Sequence, residues 1–476
     1  MDKFNDVSRK NIIGSLIIVL FSVLIFIIPP LLDKEIHPIL SLSTIVMVSI
    51  YVVLSFEIIH RTAIAILGAV ILVGLVMAFQ LVVPHESLDF IIELIDFNTI
   101  GLLFGMMIIV VILGETGIFN WVAVKATELS KGNPWRLMVI LCTFTAIVSA
   151  FVDNVTVILL MVPVTLTIFR FLKRSPFPYI IGQTMSSNIG GAATLIGDPP
   201  NIIIGSAANI DFNSFIMGMG PTIAITFVLS LFILRSFFSK ELKKNFDVKV
   251  IEKFKEEEEH LIKDKNLLKK SLAVLTAVIF FFTIQQIIGI EVSLIAFAGA
   301  AVLLVITKMN VEKVMHEVDW STLLFFTGLF IVIGIFSEYG GIQILSSVVI
   351  GITGGDPWST FLSIIWLSAI ASGFVDNIPY TVTMAPLLET LTKNPEISTG
   401  FGHMPINPLW WALALGADLG GNLTLIGSSA GVVAAGISAK YGFRITFNQW
   451  FKIGLPFTIS TVFIGMVLLS IFTLLS

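Results

Sequence analysis

Apolar segments long enough to cross a lipid bilayer follow one another along most of this chain. Residues 12–32, 38–58 and 62–83 form the first three, and similar segments continue to the C-terminus. A helix that spans the hydrocarbon core needs roughly 20 mostly apolar residues. Because 56% of the 476 residues are hydrophobic and 13% are charged, the sequence predicts an all-α, polytopic membrane protein with about eleven transmembrane helices.

The first apolar segment is predicted to be an additional transmembrane helix within residues 1–37. It ends in Pro29 and Pro30, and no small-residue cleavage site follows it before the next span. It therefore differs from a cleaved signal peptide, and we expect it to remain in the protein.

The positions of the basic residues predict the orientation of the chain in a cell membrane. If the N-terminus is cytoplasmic, all but two of the 28 Lys and Arg residues, Lys34 and Lys393, fall on the cytoplasmic side. Loops on that side are normally enriched in Lys and Arg. The C-terminus is then predicted to lie outside. The charged stretch 239–266 is predicted to be a cytoplasmic linker, with a regulatory or partner-binding helix as the alternative.

The second half of the chain repeats the first. At a constant offset of 223 residues, identical residues recur for Thr99, Gly105, Glu115, Gly117, Pro134, Trp135, Ser149, Phe151, Val152, Asp153, Asn154 and Pro163. At an offset of 230 the match includes Gly190, Gly191, Thr194, Leu195, Ile196 and Gly197. The first copy is predicted to cover residues 38–238 and the second residues 267–476. Because each copy holds an odd number of spans, the copies are predicted to enter the membrane in opposite directions, the inverted-repeat arrangement of secondary transporters.

Each copy contains two apolar helices joined by a short polar tip. Asp153 and Asn154 lie at the first tip, and Asp376 and Asn377 lie at the second. Two polar residues make a poor solvent loop, so these hairpins are predicted to be re-entrant, with tips inside the membrane. An ionisable group there costs roughly 2.5 to 3.5 kcal/mol on insertion scales, which favours a binding site. The alternative is that the acid caps the second helix of the hairpin. The predicted hairpins cover residues 135–170 and 357–392.

Each copy also contains an apolar span that glycines interrupt. Glycines open the backbone, Asp198 can cap the half-helix that follows, and Pro199 suits the first turn of that half-helix, where no N–H is required. The second copy keeps the break but lacks the Asp-Pro-Pro-Asn sequence that ends the first break. Close packing of helices is the alternative role for the glycines. The broken helices are predicted at residues 179–208 and 408–437.

The two hairpins and the two broken spans are predicted to form one polar site. Four half-helix N-termini could hold an anion, while exposed carbonyl groups and acidic side chains could hold Na+ or a proton. Asp418, which corresponds to Asn188 in the repeat, is either a proton site or a hydrogen-bonding group. A site for Na+ is predicted at Asp153, Asn154, Asp376 and Asn377. The full set of predicted ligands for substrate or ion is Asp153, Asn154, Asn188, Gly191, Thr194, Gly197, Asp198, Asn201, Asp376, Asn377, Asp418, Gly421, Asn422, Thr424, Gly427 and Ser428.

The hairpin tip and the first break resemble motifs of the ion transporter superfamily. Residues 149–156 read Ser-Ala-Phe-Val-Asp-Asn-Val-Thr, and residues 190–201 read Gly-Gly-Ala-Ala-Thr-Leu-Ile-Gly-Asp-Pro-Pro-Asn. Both are most similar to the branch of arsenite permeases and the P protein. The superfamily also includes sodium/proton antiporters and citrate and dicarboxylate transporters. The resemblance implies a homodimer with an elevator-like motion of the hairpins and broken spans against a scaffold.

The tips depart from the Ser-Asn-Thr pattern of the dicarboxylate carriers. Here the matching residues are Asp153, Asn154 and Val155 in the first copy, and Asp376 and Asn377 followed by an isoleucine in the second. Hydroxyl groups that would bind a carboxylate are lost and negative charge is added. The departure favours coupling to a cation or a proton.

The sequence thus predicts a secondary active transporter of a small anion or arsenite, coupled to H+ or Na+. Sodium/proton exchange is the close alternative; a sodium-coupled citrate or dicarboxylate transporter, a passive channel and an intramembrane aspartyl protease are less favoured. The protease is disfavoured because its Tyr-Asp and Gly-x-Gly-Asp patterns are absent from the sequence. ATP-driven transport is not expected, since there is no Gly-x-x-x-x-Gly-Lys-[Ser/Thr] loop. Neither enzymatic activity, a cofactor nor a nucleic-acid partner is predicted.

Overall fold

A computed structural model of the chain describes residues 38–56, 59–79, 81, 87–247, 262–402 and 404–475. The transmembrane helix predicted within residues 1–37 lies outside the described residues, as does part of the predicted linker 239–266.

All the regular secondary structure in the described part of the chain is helical. In chain order the helices are α1 (Pro38–Phe56), α2 (Arg61–Ala78), α3 (Ser87–Glu93), α4 (Phe97–Glu115), α5 (Ile118–Ser130), α6 (Pro134–Ser149), α7 (Asn154–Phe171), α8 (Phe177–Gly191), α9 (Pro199–Ala208), α10 (Phe212–Phe237), α11 (Lys265–Ile288), α12 (Val292–Thr307), α13 (Val311–Glu317), α14 (Trp320–Glu338), α15 (Gly341–Thr353), α16 (Pro357–Phe374), α17 (Asn377–Thr392), α18 (Pro395–Thr399), α19 (Leu409–Gly420), α20 (Ser429–Lys440) and α21 (Phe447–Leu475).

Eight of the described helices are long and apolar enough to cross a membrane: α2, α4, α7, α10, α11, α14, α16 and α21. Shorter apolar helices include α1, α6, α12, α15 and α19. The chain is therefore an all-helical, multi-pass membrane protein, as its sequence predicts. The opposite orientations of the two sequence copies stay a prediction.

The sequence repeat is also a repeat of helix boundaries. The helices α4 and α14 begin and end 223 residues apart, and so do α5 and α15. Asp96 and Asp319, at the starts of α4 and α14, each accept a hydrogen bond from the backbone N–H three residues later, at 3.0 and 3.1 Å. Gly117 and Gly340, which precede α5 and α15, have φ angles of 80° and 92°, a region that favours glycine. Matching caps and turns therefore produce matching helices.

The chain divides into two compact units, and each draws on both sequence copies. The first takes its described residues from 38–100, 319–360 and 382–402, and the second from 101–318, 361–381 and 404–475. A sequence copy is therefore not an independent domain. All the predicted site residues belong to the second unit.

In the first unit, α14 packs closely against α2. A Cβ atom at Gly328 would lie 2.8 Å from the carbonyl carbon of Ala65. The hydroxyl of Thr62 donates to the backbone oxygen of Ser321 at 2.8 Å. The guanidinium of Arg61 also donates to the hydroxyl of Thr322 at 2.8 Å. An apolar cavity of about 540 Å³ borders the same two helices.

In the second unit, corresponding glycines let a broken span approach a hairpin in both copies. A Cβ atom at Gly190 of α8 would lie 2.6 Å from the Cα atom of Ala146 in α6. A Cβ atom at Gly420 of α19 would lie 2.7 Å from the Cα atom of Ala369 in α16. No side chain fits in either place, so these two glycines serve helix packing.

Candidate functional site

The first hairpin turns through residues 150–153, between α6 and α7. Asp153 occupies the N-cap of α7, where one carboxylate oxygen accepts hydrogen bonds from the N–H and the hydroxyl of Thr156, at 3.0 and 2.9 Å. Capping was the alternative to a binding role for this acid, and the structure shows that Asp153 does cap its helix.

The second hairpin turns through residues 375–376, between α16 and α17. Asp376 accepts a hydrogen bond from the N–H of Ile378 at 3.1 Å and another from the hydroxyl of Ser429 at 2.5 Å. The first bond is local, whereas the second joins the hairpin to the start of α20. Asp153 and Asp376 thus have the same place in the repeat but different partners.

Both broken spans are interrupted as predicted. Residues 192–198 separate α8 from α9, and residues 421–428 separate α19 from α20. The hydroxyl of Thr194 donates to the backbone oxygen of Ala150, and that of Thr424 donates to the backbone oxygen of Gly373 at 2.5 Å. These predicted ligands therefore use their hydroxyl protons to fasten each break to the adjacent hairpin.

The glycines of the breaks lie against backbone atoms. A Cβ atom at Gly197 would lie 2.7 Å from the backbone oxygen of Ser149, and one at Gly427 would lie 2.9 Å from that of Gly373. Gly191 and Gly421 are close to their own breaks, since Cβ atoms there would lie 2.8 and 3.3 Å from the oxygens of Gly197 and Gly427. In this structure all four glycines serve close backbone packing.

Asp198 is the centre of the polar network. It occupies the N-cap position of α9, but its side chain makes no capping hydrogen bond, so the prediction that it caps the half-helix is wrong. Instead, Nδ2 of Asn154 donates to its Oδ2 at 2.5 Å, and Nδ2 of Asn377 lies 3.4 and 3.3 Å from its two oxygens. Amide groups from both hairpin tips therefore converge on one buried carboxylate.

A second set of amides joins the two breaks. Nδ2 of Asn188 donates to Oδ1 of Asn422 and to the hydroxyl oxygen of Ser428, both at 3.0 Å. Its Oδ1 accepts a hydrogen bond from Asn154 at 3.2 Å. Ser428 also caps α20 by accepting from the N–H of Gly431 at 3.2 Å. These residues link both copies through side chains that are fully buried or nearly so.

Asp418 and Asn201 form a further pair. Asp418 lies in the last turn of α19 and is fully buried. The amide of Asn201 lies beside its carboxyl group, but within the described residues neither carboxyl oxygen has a hydrogen-bond partner. Nδ2 of Asn201 donates instead to the backbone oxygens of Gly191 and Thr194, at 3.0 and 3.1 Å.

Four carboxyl groups share this region. Asp198 interacts electrostatically with Asp153, Asp376 and Asp418. Two of the four predicted sodium ligands, Asn154 and Asn377, donate to Asp198 through their amide nitrogens. Their role in binding Na+ stays a prediction.

Sequence reasoning missed two residues of the network. Ser429 holds Asp376, and Nε1 of Trp450 donates to the backbone oxygen of Asn422 at 3.1 Å. Ser429 could have been found, because it is a hydroxyl residue where the first copy has Pro199. Trp450 gives no local signal, since it lies on a different helix, α21.

Comparisons with known proteins agree with this architecture. Residues 51–416 match the family model described as citrate transporter. The chain is 34% identical over 504 residues to the P protein of Sus scrofa, covering 90% of this chain and 58% of that protein. It is 37% identical over 414 residues to an uncharacterized transporter of Mycobacterium bovis, covering 86% of this chain and 93% of that protein. The chain thus spans somewhat over half the length of the P protein.

Similarity extends to solved structures. The crystal structure of the Alcanivorax borkumensis YdaH transporter matches with a TM-score of 0.54 and covers 87% of this chain and 98% of that chain. The sequence identity is 13%, so the likeness concerns the fold.

Proposed function

The chain belongs to the citrate transporter family and is a membrane transporter, and from that premise we propose that it moves a small anion or arsenite in a cycle coupled to H+ or Na+. The observation that carries the proposal is the position of Asp198. This buried carboxylate receives amides from both hairpin tips and lies among three further carboxyl groups.

The charge of the site supports coupling. Two like charges 4 Å apart repel by about 4 kcal/mol at an effective dielectric constant of about 20, which corresponds to roughly a thousandfold in affinity. An anion that enters a cluster of carboxylates therefore requires protons or cations to be bound there first. Such ordered binding couples transport of the anion to transport of H+ or Na+.

The contacts within the second unit support an elevator-type motion of the hairpins and broken spans. Hydroxyl groups of Thr194 and Thr424 fasten each break to a hairpin. Ser372 adds a bond to the backbone oxygen of Ala417 at 2.5 Å, and Ser149 adds one to that of Ser187 at 2.8 Å. Hairpins and breaks bonded in this way can move as one body. We also propose a homodimer in the cell membrane, with a cytoplasmic N-terminus and an external C-terminus.

Sodium/proton exchange is the second candidate. The same cluster of acids favours it, because carboxyl groups can bind Na+ and H+ alternately without an anion. In that mechanism the amides of Asn154 and Asn377 would orient Asp198 and would not bind a substrate.

A flux assay on the purified protein in liposomes separates the two functions. An imposed pH gradient is followed with an internal dye while Na+, citrate, a dicarboxylate or arsenite is added one at a time. Dissipation by Na+ alone indicates exchange, whereas a requirement for citrate or arsenite indicates the coupled transporter. Flux that does not saturate with substrate, and that is not coupled to the pH or Na+ gradient, would contradict both candidates and indicate a channel.

Variants test the acids in the same assay. Asp153→Asn and Asp376→Asn each remove one tip carboxylate and keep its size. Coupled transport retained in both variants would remove these two acids from the mechanism. Loss of transport in either variant supports a direct role.

A further inference from the structure

The four carboxyl groups of the site fall into two classes by hydrogen bonding. Asp153 accepts bonds from an N–H and a hydroxyl, Asp376 accepts from an N–H and a hydroxyl, and Asp198 accepts from two amides. Asp418 accepts none from the part of the chain that the structure describes. Donors aimed at a carboxyl group stabilise its ionised form, and three of the four groups have them.

Helix ends divide the same four groups in the same way. Asp153, Asp198 and Asp376 each precede the first residue of a helix, where the positive end of the helix dipole favours a negative charge. Asp418 lies in the last turn of α19, where the negative end of the dipole opposes one. Asp418 is thus the carboxyl group of this site that is least suited to carry a charge.

The amide of Asn201, which lies beside Asp418, has hydrogen-bond partners elsewhere. The N–H groups of Asn201 are directed at the backbone oxygens of Gly191 and Thr194. The amide cannot be reversed without placing its oxygen against those two oxygens. Its Oδ1 is buried and has no donor among the described residues. The two oxygens of an ionised Asp418 would be further buried acceptors without a donor in the described part of the chain, and burying such groups is costly.

A proton on Asp418 would remove the charge from these buried oxygens. We propose that Asp418 carries a proton and is a proton-binding group of the site in its own right, distinct from Asp198. Asp418 interacts electrostatically with Asp198. Asp198 in turn interacts with Asp153 and Asp376. A negative charge on Asp198 would favour the neutral form of Asp418. Use of this proton for coupling rests on the proposed function, whereas its presence does not.

The repeat supplies an independent argument. Asn188 occupies the position of Asp418 in the first copy, and it donates hydrogen bonds through its amide. A protonated carboxyl group has nearly the shape of an amide and also offers a donor. Both copies would then place a neutral donor at this position. The difference is that Asp418 can release its proton and Asn188 cannot.

Infrared spectroscopy of the full-length protein in lipid nanodiscs tests the proposal. Aspartate labelled with carbon-13 in its side-chain carboxyl group separates the C=O stretch of a protonated Asp from that of a protonated Glu. The wild type is expected to show a protonated Asp band at neutral pH, and Asp418→Asn is expected to lose it. The matched variant Asp376→Asn is expected to retain it.

Two results would overturn the proposal. One is a wild-type spectrum without a protonated Asp band, including the case in which the band appears only when Na+ is removed, since a cation would then be bound at Asp418 in place of the proton. The other is a band that persists in folded Asp418→Asn. The label provides a test in the wild type even if a variant fails to fold. The measurement requires no transported substrate, so its failure and a failure of the flux assay are distinct results.

Discussion

The two broken spans share a backbone plan and differ in chemistry. In both, a glycine packs against an alanine of the adjacent hairpin, and a threonine donates to a backbone oxygen of that hairpin. The first break ends in Asp198, which receives amides from both copies, whereas the second ends in Ser428, which caps its own helix. The glycines and threonines that both copies share therefore form the breaks. The difference between Asp198 and Ser428 places an acid at the centre of the polar network in the first copy only.

The largest expected effect is that of Asp198→Asn. The substitution removes the charge and leaves one acceptor oxygen for the amides of Asn154 and Asn377. Hydrogen bonds to charged groups contribute about 1.5 to 3 kcal/mol each, so the loss of one corresponds to at least about tenfold in coupled transport and the loss of both to about 100-fold or more. Initial rates of flux in liposomes measure it. Transport within a few-fold of wild type would show that the two breaks do not differ in function.

Asp418→Asn should change coupling more than transport. The variant keeps the size of the side chain but has no proton to release. We expect exchange of labelled citrate across the membrane to persist if citrate is carried, and accumulation driven by a pH gradient to fall about tenfold or more, an effect of about 1.4 kcal/mol. Uphill uptake measured with and without the gradient separates the two quantities. Accumulation equal to that of the wild type would exclude this group from coupling.

Alanine at the packing glycines should destabilise both breaks alike. Gly190→Ala and Gly420→Ala each place a Cβ atom against the backbone of the hairpin, and overpacking of this kind typically costs about 1 to 3 kcal/mol. Thermal unfolding in detergent measures the effect. Gly436→Ala, in α20 where no atom lies within 4 Å of the new Cβ, is the matched control and should be neutral or slightly stabilising. A large difference between the two glycine variants would contradict the shared backbone plan.

The smallest effect is expected for Ser428→Ala. It removes the cap of α20 and one acceptor for Asn188, and loss of a cap typically costs about 1 kcal/mol. The free energy of unfolding should fall by about that amount, and transport should fall less than in Asp198→Asn. Thermal unfolding and flux are measured on the same preparations. A loss of transport as large as that of Asp198→Asn would give the second break an equal role.

Much of the fold could be predicted from the sequence. The apolar segments predicted an all-helical membrane protein, and the repeat predicted pairs of helices such as α4 and α14, because identical caps and turns at one offset produce identical local structure. Both broken spans were also predicted, since glycines within an apolar segment interrupt a helix. These features depend on residues that are neighbours in the chain.

The partners of the site residues could not be predicted in the same way. The side chain of Asp198 was expected to cap its helix, but it receives Asn154 and Asn377 from two separate hairpins. Trp450 binds the backbone of Asn422 from another helix, and nothing near Trp450 in the sequence indicates this. The asymmetric chemistry of two similar breaks arises from such contacts.

The sequence by itself determined that the chain is helical, that it spans a membrane and that its two halves repeat, because apolar length, capping and glycine placement act over a few neighbouring residues. Only the tertiary structure decided which acid stands at the centre and which has no donor. Buried polar groups satisfy their hydrogen bonds with whatever folding brings near them, and those partners come from distant parts of the chain.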